Sequence, residues 1–178
     1  VGVISQPDKQ KNRGMKLLPT PVKEYALSQG LQIYQPETLK NEEILPFLQE
    51  VQPDIIIVVA YGKLLPKYIL NFPKYGCVNI HASLLPKYRG AAPIQWSILN
   101  GDKITGVTSM YMEEGLDTGD MILKKEVDIL DSDTSQTLHD KLAEAGAKLL
   151  CETIERIKKG DIAPQKQDDS MSCYAPML

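Results

Sequence analysis

Asp54-Ile55-Ile56-Ile57-Val58-Val59-Ala60 is the stretch that decides the fold. It is apolar at consecutive positions and rich in β-branched residues, a pattern a strand carries when helices cover both of its faces. Apolar runs alternate with helical patterns along the rest of the chain, the order expected of an α/β domain. The expectation is an open, doubly wound, mostly parallel sheet flanked by helices, with ligands bound beyond the carboxyl ends of its strands. Upstream, Val1–Ser5 reads as a short strand and Gln6–Thr20 as a polar, basic loop. Pro21–Gln29 reads as a helix opened by proline and stopped at Gly30, Gln32–Tyr34 as a brief strand, and Glu42–Glu50 as a short helix. Downstream, Cys77–Ala82, Gly106–Met112 and Met121–Ile129 read as strands and Pro93–Leu99 as a helix. Thr134–Lys159 is a long helix whose stripe Leu138, Leu142, Ala145, Leu149, Ile154 and Ile157 follows helical spacing. Asp133 with Gln136 resembles a capping box at its start, and Gly160 ends it. Asp161–Leu178 is polar and irregular and reads as a linker.

The chain has 178 residues, enough for one domain with a sizeable core. No apolar run approaches the ~20 residues of a membrane-spanning helix. The opening V-G-V-I-S has no basic region and does not itself read as a signal peptide. Cys77, Cys151 and Cys173 form neither a zinc pattern nor a disulfide framework, so a reduced, cytoplasmic setting is expected. Net charge is −3, so the whole molecule is not a basic nucleic-acid binder. Residues 8–24 differ: Lys9, Lys11, Arg13, Lys16 and Lys23 stand against Asp8 and Glu24. Such a segment could engage phosphate, although a charge run usually just faces water.

Chemistry concentrates in residues 78–96, V-N-I-H-A-S-L-L-P-K-Y-R-G-A-A-P-I-Q-W. On a strand, Asn79 and His81 share one face, with Val78 and Ile80 on the other. An amide and an imidazole at the end of a strand suit acyl transfer. Each can offer an N–H to a carbonyl oxygen that gains negative charge as an amine attacks. The imidazole must also be held in the right tautomer, usually by a carboxylate or a carbonyl. Asp117, in E-E-G-L-D-T-G-D-M (113–121), is the candidate, with Asp120, Glu113 and Glu114 as competitors. Taken singly, each feature has a plainer reading: a strand His beside an Asn is more often a satisfied polar pair, and a glycine-rich acidic loop is usually a turn. His139 reads as an ordinary helical residue. There is no G-x-S-x-G elbow and no P-loop, and no metal is expected.

Taken together, Asn79-Ile80-His81, Ser83-Leu84-Leu85-Pro86 and Asp117 within G-L-D-T-G-D resemble the folate-dependent formyltransferases. The resemblance covers nearly the whole chain. It implies a Rossmann-like formyltransferase fold, with Asn79, His81 and Asp117 as catalytic residues and 10-formyltetrahydrofolate as the formyl donor. The pterin is expected beneath Val59–Leu65 and the 113–118 loop. The implied folate contacts are Ala60, Tyr61, Gly62, Leu64, Ser83, Leu84, Leu85, Pro86, Glu114 and Gly115. R-G-A-A-P-I-Q (89–95) and S-Q-P-D-K-Q-K-N-R-G-M-K-L-L-P-T-P-V-K (5–23) look like the branch of the family that formylates initiator methionyl-tRNA. That likeness turns the basic loop into a tRNA contact, with Arg13, Lys16 and Arg89 carried over.

Other acceptors in the family are sugar nucleotides and water, for which a basic loop has no purpose. A folate- or RNA-binding module without turnover is the third reading. In the family, a strand, a glycine-containing turn and a helix precede the equivalent of Val1, and a barrel domain follows that of Leu178. The chain therefore reads as an excerpt: residues 1–160 as the catalytic domain and 161–178 as a linker toward a further domain.

Overall fold

The structure, a computed structural model, describes residues 1–11 and 16–178, and for 9–11, 16 and 17 it describes the backbone alone. In chain order the elements are β1 (Gly2–Ile4), β2 (Lys9–Lys11), β3 (Lys16–Leu18), α1 (Pro21–Ser28), β4 (Gln32–Tyr34), α2 (Leu45–Val51) and β5 (Ile56–Val58). There follow α3 (Lys67–Leu70), β6 (Cys77–His81), α4 (Pro93–Leu99), β7 (Ile104–Tyr111), β8 (Met121–Asp128) and α5 (Ser135–Lys159). The α/β class and the helix-flanked sheet agree with the sequence reading. Strand direction is mixed. β1·β4 and β5·β6 are parallel, whereas β6·β7 and β7·β8 are antiparallel. The connection from His81 to Ile104, which contains α4, and the shorter one from Tyr111 to Met121 carry these reversals. Among the described residues, no strand pairing joins β1·β4 to the four-stranded sheet β5-β6-β7-β8.

Several boundaries move for local reasons. The basic loop expected at Gln6–Thr20 contains an antiparallel pair, β2·β3. α1 has Thr20 as N-cap, its side chain accepting from the Lys23 N–H, and Pro21 in its first turn. α2 begins at Leu45 rather than Glu42, because Asn41 and Glu42 both hold φ near +56°, outside the right-handed helical region. β5 is shorter than the apolar run that announced it, since Ala60 turns the chain with φ 48°. α3 falls in a stretch that carried no helical signal. α5 is capped by Thr134 with Thr137, not Asp133 with Gln136. Asp133 accepts instead from the Leu130 N–H and from Lys141.

α5 packs on one face of β6, β7 and β8. Leu138, Leu142 and Leu149 are buried with Val107, and Ile80 packs against them; Val78 is buried with Ile157 and Ile122. Gly146 lets the helix approach closely, because a Cβ there would lie 3.1 Å from Ile80 Cγ2. A second core joins Leu39, Ile44, Leu48, Leu65, Ile69 and Cys77 on the β5 side. The stretch read as a linker is irregular but not loose. Gln165 pairs with Met121, and Cys173–Ala175 pairs with Arg89 through main-chain bonds. No described helix is long and apolar enough to cross a membrane.

Cys77 provides a test of this packing. Its buried Sγ lies 3.6 Å from the Ile69 carbonyl, and burial pushes its thiol up to about 12. The unfolded thiol ionises near 9.0. Above that pH the unfolded chain releases a proton that the fold still holds, so stability falls as pH rises. The loss from this group reaches roughly 1 kcal/mol one unit above the unfolded value. Urea unfolding of Cys77→Ala is expected to decline less steeply than wild type across that window.

Candidate functional site

Because α5 takes the Val78 and Ile80 side of β6, Asn79 and His81 face the opposite side. The loop 83–86 folds over that same side. It is held by Thr108, whose hydroxyl donates to the Ser83 carbonyl (2.7 Å) and accepts from the Leu85 N–H (3.1 Å). Lys124 donates to the Leu85 carbonyl at 2.5 Å, and burial lowers its pKa. Ser83 and Leu85 are thereby fully buried, with Leu85 packed on Met110 and Met121. Their side chains support the loop from beneath, so any folate contact at these two positions falls to main-chain groups. Leu84 and Pro86 are half-buried.

His81 is 6% exposed. Its Nε2 donates to the Tyr88 carbonyl at 2.8 Å, since a carbonyl oxygen can only accept. Nδ1 is the ring nitrogen left over, and it lies 3.7 Å from Asp117 Oδ2. Among the described residues, Asp117 is the carboxylate of the 113–120 loop that reaches His81; Glu114 turns away to pair with Lys67 at 2.8 Å. The same Asp117 oxygen accepts from the Gly90 N–H at 2.8 Å. Asn79 is half-buried, and no hydrogen bond engages its amide among the described residues. The site therefore holds a braced imidazole–carboxylate pair beside a free amide donor on the same strand face. Strain gathers here too. Tyr88 and Asp117 hold φ of 61° and 53°, conformations that persist only where neighbours enforce them.

Val58 pairs with Asn79 across β5·β6, so the segment after Val58 emerges beside that amide. Ala60, Gly62 and Leu64 are exposed there, and Gln6 Nε2 donates to the Tyr61 carbonyl at 2.8 Å to hold the segment in place. Gly115 is exposed on the facing loop. A cleft of about 550 Å³ lies between Leu64, Leu65, Lys67 and Glu114, and neither His81 nor Asp117 lines it.

Arg13 lies outside the described residues, and only the backbone of Lys16 is described, in β3. The side chain of Arg89 is 13% exposed, and its guanidinium donates to Gln167 Oε1 (3.0 and 2.8 Å) and to Asp169 (2.8 Å). Those groups engage it within the protein. Gln167 itself went unread. Its contacts span 48–78 residues of sequence and are divided between main-chain carbonyls and the Arg89 side chain, so they leave no local pattern.

Comparison with known proteins agrees with this geometry. A family model described as formyl transferase matches residues 1–154. A methionyl-tRNA formyltransferase of Caldanaerobacter subterraneus subsp. tengcongensis is 55% identical over 179 residues, covering 100% of this chain and 58% of that protein. One from Clostridium novyi is 56% identical, with 99% and 58% covered. The chain thus spans 58% of the length of these two relatives. Among solved structures, the phosphoribosylglycinamide formyltransferase of Bacillus halodurans superposes with TM-score 0.72 at 28% identity, covering 86% of this chain and 78% of that one. The formyltransferase PseJ of Anoxybacillus kamchatkensis, solved with UDP-4,6-dideoxy-4-formamido-L-AltNAc and tetrahydrofolate, gives 0.70 at 28% identity, covering 98% and 84%.

The Gly90–Asp117 bond separates the stability of the loop from its chemistry. Asn at 117 can accept the same N–H and tolerates positive φ, so Asp117→Asn is expected to unfold within about 1 kcal/mol of wild type. Asp117→Val has neither property and is expected to lose about 2 kcal/mol or more by chemical denaturation.

Proposed function

This chain belongs to the formyl transferase family, and we propose that it carries the catalytic site of an enzyme that moves a formyl group from 10-formyltetrahydrofolate to the α-amine of methionyl-tRNA. The observation that carries the reading is the meeting of His81 and Asp117 beside the unengaged amide of Asn79. Relatives of 55–56% identity that bear this activity in their names support the choice of acceptor. The same reading places the protein in the cytoplasm, with residues 1–160 as the catalytic unit.

The residues suit a folate donor. Ala60, Tyr61, Gly62 and Leu64, facing Glu114 and Gly115, would hold the pterin largely through main-chain groups. The donor supplies a formyl carbon that an amine can attack. Asn79 donates to the formyl oxygen as negative charge builds there, a contribution of about 2.7–4 kcal/mol for one well-aimed donor. His81 offers only its Nδ1 edge, because Nε2 is spent on Tyr88. Asp117, fixed by Gly90, orients that edge and helps pass the proton that leaves the amine to the nitrogen that loses the formyl group. The bond formed joins the amine nitrogen to the formyl carbon, and the bond broken joins that carbon to the folate nitrogen. Arg13 and Lys16 would meet the phosphates of the acceptor RNA.

The test uses the intact parent chain with 10-formyltetrahydrofolate and, in parallel, charged methionyl-tRNA, a UDP-amino sugar, or no acceptor. Formyl-methionyl-tRNA is expected in the first reaction alone. Asn79→Ala, His81→Ala and Asp117→Asn are each expected to lower kcat by about 100-fold or more. A rate within a few-fold of wild type for any of them would remove that residue from the assignment. Product from the sugar, or deformylation without an acceptor, would keep the chemistry and reassign the acceptor. Arg13→Ala with Lys16→Ala is expected to raise KM for the tRNA and to flatten its salt dependence, leaving kcat in place.

A further inference from the structure

We infer that Gln167 is a positioning residue for Asp117, holding the 117–119 loop so that the carboxylate stays beside His81; the inference rests on the role proposed for Asp117 above. Gln167 is 6% exposed and lies in the stretch that runs back over the site. Its Nε2 donates to the carbonyls of Asp117 and Gly119, both at 2.8 Å. Its Oε1 accepts from Arg89 Nε at 3.0 Å and Nη2 at 2.8 Å. A primary amide has two N–H donors and an oxygen with two lone pairs, and all four are used. The polarity fits no other residue of this size: the loop presents two acceptors and Arg89 presents two donors.

The two loops so joined are the two that fix the Asp117 carboxylate. One carries Asp117 itself at φ 53°; the other carries Gly90, whose N–H holds Oδ2. The stretch is anchored on both sides of Gln167. Gln165 and Met121 exchange main-chain bonds at 2.8 and 2.9 Å, and Arg89 exchanges main-chain bonds with Cys173 and Ala175. Gly90 is required where the stretch crosses, since a Cβ there would lie 2.7 Å from the Ala175 carbonyl. Gln167 has no hydrogen bond to His81 or Asn79 among the described residues, so it acts through the loop.

Gln167→Glu in the intact parent chain isolates the point, because it keeps an acceptor for Arg89 and turns the loop-facing donor into an acceptor against two carbonyls. The expected result is a kcat lower by about 10-fold, with KM for donor and tRNA within about two-fold, as small misplacement of a catalytic group predicts. The melting temperature is expected to fall, because two loop carbonyls lose their donor, while the chain stays folded at the assay temperature and hydrogen exchange quickens most at residues 117–120. If Glu at 167 prevents folding, Gln167→Met carries the same expectation. Asp169→Asn, which loosens the exposed ion pair to Arg89 and leaves the Gln167 bonds intact, is expected to behave as wild type. A kcat within two-fold of wild type for the Gln167 variant overturns the inference. So does an equal loss in Asp169→Asn, or exchange that quickens across the whole chain. If the wild-type parent chain transfers no formyl group, the proposed function fails instead, and exchange at 117–120 still decides whether Gln167 holds the loop.

Discussion

Val78 and Ile80 lie under α5, and because side chains alternate along a strand, that burial forces Asn79 and His81 to the other face of β6. A register slip of one residue would put the imidazole against Leu138 and Leu142 and turn an isoleucine toward the loops. The apolar cost of that exchange makes the register secure, and the polar face inherits its precision from the apolar one. The rest of the site is built outward from there. β5 brings its following segment alongside Asn79, and β7 supplies the Thr108 hydroxyl that folds the 83–86 loop down. The β7–β8 connection then delivers Asp117.

The sequence made some of this visible and concealed the rest, for physical reasons. Alternation and β-branching are local properties, so β6 and the Asn79–His81 pair could be read directly. Pro93 marked the start of α4, and its end at Leu99 was placed correctly. Strand direction is not local. The apolar run at 54–60 implied cover on both faces, yet β7 is also buried on both faces while running antiparallel to β6. The start of α2 was misplaced because the left-handed turn at Asn41 and Glu42 has no glycine to announce it. Ser83 and Leu85 stood out as members of a motif, but the burial of their side chains depends on Thr108 and Lys124, which lie far along the chain. The enclosure of Arg89 was hidden for a similar reason: its partners Gln167 and Asp169 lie 78 and 80 residues away in sequence.

Those enclosing residues belong to the last part of the chain, and the order of synthesis gives their position a meaning. A chain leaves the ribosome amino end first, and its early elements begin to fold before the late ones exist. The sheet, α5 and the loops that carry Gly90 and Asp117 are therefore made before residues 165–175 can pair with Met121 and Arg89. Until then the nascent segment has Asn79 and His81 on one strand face but lacks the bonds from Gln167 that brace the 117–119 loop. That loop is closed only once residues 165–175 have been made. A chain interrupted within α5 would lack Gln167, leaving the carbonyls of Asp117 and Gly119 without the amide that ties them to Arg89.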